Sequence, residues 1–155
     1  MDKSLEVLLQ HRKVLYYYLK ETPLSVLNLI PPGFRNNIVW NIGHSVVVQQ
    51  LLVYRRSKLS LSVPDEMVAH YRPGTVPDGQ ATAAEVESLR KLVFTTVEKT
   101  SDDYQLGLFR TYDSFTTATN VTLSRVDDAI LFNNYHEGLH LGTILALQKA
   151  LSQLR

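Results

Sequence analysis

Cysteine is missing from this chain of 155 residues, which excludes disulfides, thiolate metal ligation and a cysteine nucleophile, and is compatible with a reducing compartment. Any metal would have to be held by nitrogen and oxygen ligands. Net charge is nearly absent as well: sixteen basic against fifteen acidic residues leave +1. No run of Lys or Arg forms a basic stripe, which argues against nucleic acid as a partner. Nowhere do about eighteen apolar residues stand together, so no membrane-spanning segment is expected. The start, MDKSLEVLLQHRK, breaks with charge before an apolar run of signal-peptide length, and a cytoplasmic location is the expectation. Without secretion the glycosylation triplet Asn120-Val121-Thr122 carries little meaning. Internal repeats, low-complexity tracts and linkers are lacking too. With 45% apolar and 20% charged residues, residues 1–155 read as a single domain able to bury one core.

What is present is helical periodicity. The first helix is expected from about Asp2 to Lys20, carrying Leu5, Leu8, Leu9, Val14, Leu15 and Leu19. Thr22-Pro23 reads as a cap with proline at the first helical position, opening a short piece that ends at the Pro31-Pro32-Gly33 break. A second long helix should start near Asn36 or Asn37 and run to about Arg56. On it Asn37, Trp40, Val48, Leu51 and Arg55 share the face of His44. Residues 57–81 hold Pro64, Pro73, Gly74, Pro77 and Gly79 and read as a long crossing connection rather than a hairpin. Thr82 with Glu85 and Ser124 with Asp127 have the spacing of capping boxes. They predict a third helix from Thr82 to about Asp103 and a last one from about Arg125 to Leu154. Residues 104–123 fit either a short hairpin or a folded loop. The last helix should place Ala129, His136, His140, Thr143 and Leu147 on one stripe, with Asn133 and Ile144 at its margins.

Side chains four apart share a helical face, so His136 and His140 can offer two imidazole nitrogens to one ion, with His44 as a third. Three neutral imidazoles leave the ion's charge uncompensated and a coordination position open, the arrangement of a catalytic rather than a structural site. Against this stands the plainer reading that a histidine on an apolar face is a hydrogen-bonded core residue. His11 and His70 have no partner pattern and read as surface or loop residues. The segment His136-Glu137-Gly138-Leu139-His140 also spells the H-E-x-x-H of zinc proteases. Beyond His140, however, the chain has no His, Asp or Glu to supply a downstream ligand.

Two segments carry a resemblance. Asn37-Ile38-Val39-Trp40-Asn41-Ile42-Gly43-His44, followed by Gln49-Gln50-Leu51-Leu52, resembles the first metal motif of the DinB-like (YfiT-like) metalloenzymes. His136-Glu137-Gly138-Leu139-His140-Leu141-Gly142-Thr143-Ile144 resembles their second, and order, separation and length agree over nearly the whole chain. The resemblance implies an all-α four-helix bundle with long crossover connections. It also implies a divalent ion, nickel or zinc, held by His44, His136 and His140, and a homodimer, although the sequence pattern shows no second apolar face. Thr143 stands where the family often has Gln.

Some members of that family are similar to thiol transferases. The resemblance therefore implies metal-dependent transfer of a low-molecular-weight thiol to an electrophilic small-molecule substrate. A chain without cysteine would have to receive its thiolate from such a cosubstrate. The alternatives are a hydrolase in which the ion activates water, and a non-catalytic, stress-associated metal-binding protein. Glu137 is the nearest candidate base, although it is rotated about 100° from His136. Asn41, Asn133 and Asn37 are candidates to orient the imidazoles or line the opening, Trp40 to wall the pocket, and Arg55 to meet an anionic group. Each has a plainer reading as a cap, core or surface residue. Tyr16, Tyr17 and Tyr18 point three ways, so at most two can face the site.

Overall fold

The computed structural model describes residues 3–153. It is mostly helical: α1 (Lys3–Glu21), α2 (Leu24–Leu27), α3 (Ile38–Gln50), α4 (Asp65–Tyr71), α5 (Ala83–Gln105) and α6 (Val126–Ser152), with a small antiparallel ribbon of β1 (Phe115–Thr116) and β2 (Thr122–Leu123). The predicted ends at Asp2 and Leu154 lie outside the described residues. No described helix is long and apolar enough to cross a membrane.

The four long helices make the bundle. α1 packs on α5 and α6, and α3 packs on the same two from the other side. Side-chain bonds give the directions. Arg90 reaches the Leu19 carbonyl while Arg12 reaches Thr96, so α1 and α5 are antiparallel. Gln49 bonds Thr100 and Tyr54 bonds Asp103, so α3 and α5 run the same way. Two parallel neighbours cannot be joined by a tight turn, which is why residues 57–82 form a long crossover.

Local chemistry sets the ends. The Asn37 side chain accepts from the Trp40 amide and starts α3, and Thr82 accepts from the Glu85 amide and starts α5. The predicted cap at Ser124 is displaced. α6 starts at Val126, and the Asp128 carboxylate instead accepts from the Ser124 amide. Pro23 likewise precedes α2 instead of opening it. The second long helix reaches Arg55 as expected, but its last five residues, Leu51–Arg55, are a π-helical turn. The crossover contains α4, which proline spacing did not reveal. Residues 104–123 resolve into the two-residue ribbon and flanking loops.

The core has two apolar clusters with a polar layer between them. One gathers Leu15, Leu19, Ile42, Val46, Leu89, Val93, Ile144 and Leu147. The other gathers Leu5, Leu8, Val53, Tyr54, Val97, Leu123, Ala129 and Ile130. Each long helix passes from one cluster to the other at buried polar residues: Arg12 on α1, Ser45 and Gln49 on α3, Thr96 on α5, and Asn133 and Glu137 on α6. The outward side of α6 leaves Leu131, Tyr135, Leu139 and Leu145 at least half exposed, an apolar face that the sequence pattern did not separate from the buried one.

Candidate metal centre

His44 lies in the middle of α3, and His136 and His140 lie one turn apart on α6, the helix packed against it. The three rings converge, with centroids 5.2 Å (His44–His136), 4.6 Å (His44–His140) and 4.6 Å (His136–His140) apart. One nitrogen from each lies within 4.8 Å of the others. That cluster is the metal-ligand group found among the described residues. His44 is buried, while His136 and His140 are half-buried at the edge of the inward face of α6.

Two of the rings are held by their Nδ1 atoms. His44 Nδ1 donates to the main-chain carbonyl of Tyr71 at 2.7 Å. His140 Nδ1 donates to Asn41 Oδ1 at 2.8 Å. The Asn41 amide cannot turn, because its Nδ2 donates to the Asn37 carbonyl and to Asn36 Oδ1. A carbonyl and an amide oxygen only accept, so the proton of each imidazole sits on Nδ1 and its Nε2 lone pair is free for an ion. Trp40 stacks on His44 with centroids 4.6 Å apart and planes 17° off parallel. Its indole N–H is buried without a partner.

The electrostatics favour neutral rings. Burial pushes the pKa of His136 down to about 3, helped by His140, His44 and Arg12. Burial pushes His140 down to about 4, with His44 adding to the shift. His44 is also lowered by burial, and the bond to Tyr71 opposes the shift. His136 Nδ1 is buried and has no hydrogen-bond partner. An orphaned ring nitrogen among three neutral imidazoles fits a divalent cation, whose ligands must be deprotonated.

Glu137 stands elsewhere. Glu137, the candidate base, is fully buried. Arg12 clamps it with two bonds, Nε to Oε2 at 2.8 Å and Nη2 to Oε1 at 2.7 Å, and Asn133 Nδ2 donates to Oε1 at 2.8 Å. Asn133 is thereby directed to Glu137 rather than to an imidazole. Arg12 itself is fully buried and also reaches the Ser45 and Val93 carbonyls and Thr96 Oγ1 at 3.4 Å. Arg55 is exposed and lines a shallow depression with Leu59, Ser60 and Pro64, apart from the histidines.

His11, read as a surface residue, is half-buried, and its Nε2 is enclosed without a partner. His70 is exposed, as expected. With Trp40, Tyr71, Asp78 and Glu85 it lines a cavity of about 170 Å³ that none of the three clustered histidines borders. Sequence reasoning missed Tyr71 and Arg12. The carbonyl of Tyr71 has no sequence signature. A lone Arg within the apolar spacing of α1, between Leu8 and Leu15, was a signal that could have been used.

No curated protein matches the chain significantly. The family model of the DinB superfamily matches residues 8–144, a span that takes in all three histidines and both segments that position them. The chain belongs to the DinB superfamily.

Proposed function

We propose that this protein is a metal-dependent enzyme that transfers a low-molecular-weight thiol to an electrophilic small molecule, using zinc or nickel held by His44, His136 and His140. The observation that carries the reading is the donor set: three uncharged imidazoles, two of them half-exposed, with the neighbouring carboxylate tied to Arg12. When bound there, a divalent ion supplies a Lewis acid that favours the thiolate form of a coordinated thiol. The chain's own residues bind and orient. Tyr71 and Asn41 fix the tautomers of His44 and His140, and Trp40 stacks on His44. Glu137 serves as the counter-ion of Arg12 and is not free to act as a base, which favours a nucleophile brought in as a thiol over activated water.

The test begins with elemental analysis of untagged protein beside His44→Ala. About one divalent ion per chain, lost in the variant, supports the site. Thiol-dependent consumption of an electrophile such as a haloarene or epoxide would then support the reaction. Turnover of activated esters without added thiol would favour the hydrolase instead. A full complement of metal with no turnover of either kind, and stability that collapses on chelation, would favour a non-catalytic role.

A further inference from the structure

Gly43 poses a question that its conformation does not answer. It sits inside α3 with ordinary helical geometry, where glycine costs about 1 kcal/mol against alanine, and it is not among the residues of positive φ. Its reason is space. A Cβ at Gly43 would stand 2.5 Å from Tyr71 Cε1, 2.6 Å from Cδ1 and 2.7 Å from Cζ. Gly138 and Gly142, the two glycines of α6, would meet nothing within 4 Å. Of the helical glycines, Gly43 is the one the packing demands.

The ring it admits cannot step aside. Tyr71 is buried, and its hydroxyl donates to Glu85 Oε1 on α5 at 2.6 Å. Tyr71 is also the last residue of α4, where a main-chain carbonyl has no partner within its own helix. That carbonyl takes the Nδ1 proton of His44, the residue next to Gly43.

We propose that Gly43, Tyr71 and Glu85 form an orienting device for His44: the bare α-carbon of Gly43 seats the Tyr71 ring, Glu85 pins it, and the seated ring delivers the Tyr71 carbonyl to Nδ1, leaving Nε2 for the ion. The short helix of the crossover is thus a working part of the metal centre. Gly43 and Tyr71 act as positioning residues, through His44. The proposal rests on the metal-site reading, but its central claim concerns the ring of His44 and can be read without metal.

The test uses two measurements on full-length protein. Long-range ¹H–¹⁵N spectra of the histidine rings in the metal-free state should show His44 as the Nδ1–H tautomer. Gly43→Ala should lose that signature. Its affinity for Zn²⁺ should fall about 10–100-fold, the usual cost of losing a partner that orients a ligand. Adding Tyr71→Val removes the ring atoms the new methyl meets, so Gly43→Ala/Tyr71→Val should regain affinity to within about threefold of Tyr71→Val alone. Should Gly43→Ala fail to fold, the comparison in the Tyr71→Val background decides, because the methyl must be tolerated there. The proposal is overturned if Gly43→Ala keeps both the tautomer and wild-type affinity, or if the methyl is as costly in the Tyr71→Val background as beside the native tyrosine. A wild-type protein that binds no Zn²⁺ or Ni²⁺ sinks the metal reading alone, and the tautomer spectra still decide the device.

Discussion

His136 and Glu137 are neighbours on α6, yet they serve two buried polar regions built on opposite terms. At His136 three imidazoles meet without any counter-charge, near enough to solvent for two of them to stay half-buried, and one ring nitrogen is left without a partner. At Glu137 a carboxylate and a guanidinium are sealed from water, each oxygen engaged. A turn of 100° along one helix separates the two. The difference shows what each region can do. A sealed and nearly saturated pair is committed to holding the bundle, whereas a cluster with unused lone pairs has capacity left for a ligand.

The largest effect should come from breaking the sealed pair on one side. Arg12→Met or Glu137→Leu alone leaves a buried charge without its partner and should remove about 3–5 kcal/mol from the unfolding free energy in urea. Arg12→Met/Glu137→Leu should recover most of that loss and retain Zn²⁺ binding. A single variant as stable as wild type would show that the pair does not hold the bundle. On the other side of the comparison, His140→Ala should lose most of its metal by elemental analysis while keeping its helical circular dichroism. Full occupancy would remove His140 from the ligand set.

Asn41→Ala should be milder, lowering metal affinity about 10–100-fold with little change in stability, as isothermal titration would report. Unchanged affinity would reduce Asn41 to a packing residue. Acid separates the regions in a different way. The clustered histidines have depressed folded pKa values, so below the unfolded value near 6.5 the unfolded chain takes up protons that the folded chain refuses. The metal-free protein should therefore be fully stable above about pH 6.5 and lose stability as pH falls toward 4, the value to which His140 is pushed. His140→Gln should flatten that slope. Identical slopes would mean that the cluster is not buried as described. The smallest effect is expected of His70→Ala, which should leave metal content unchanged, because His70 is exposed and outside the cluster.

How far the sequence could be read followed from where each interaction's signal resides. The four long helices were legible because their apolar residues repeat with the helical period and their caps at Asn37 and Thr82 are local. The pairing of His136 with His140 is likewise a matter of one helix turn. His44 was a candidate third ligand, but no periodicity links it to a helix some ninety residues on, and the resemblance is what tied it to the pair. What stayed hidden depends on tertiary placement. The acceptor for His44 is a backbone carbonyl, which every residue possesses. Gly43 differs from the open glycines Gly138 and Gly142 only through a ring 28 positions downstream. Arg12 interrupts the apolar spacing of α1, and its burial follows from meeting Glu137 across 125 positions. The π turn at Leu51–Arg55 has no sequence signal that we can name.

The parallel run of α3 and α5 has a consequence for the timing of assembly. It forces the crossover, and with it a separation of 92 residues between His44 and His136. Neither α3 nor α6 can complete the ligand set by itself. During synthesis α6 is made after α3, so a growing chain holds one of the three clustered imidazoles until α6 has emerged and docked. Capture of an ion would wait for α6 and would select chains in which α3 and α6 had already found each other. Because the unfolded chain lacks the clustered site, an ion then shifts the balance toward the finished fold by mass action.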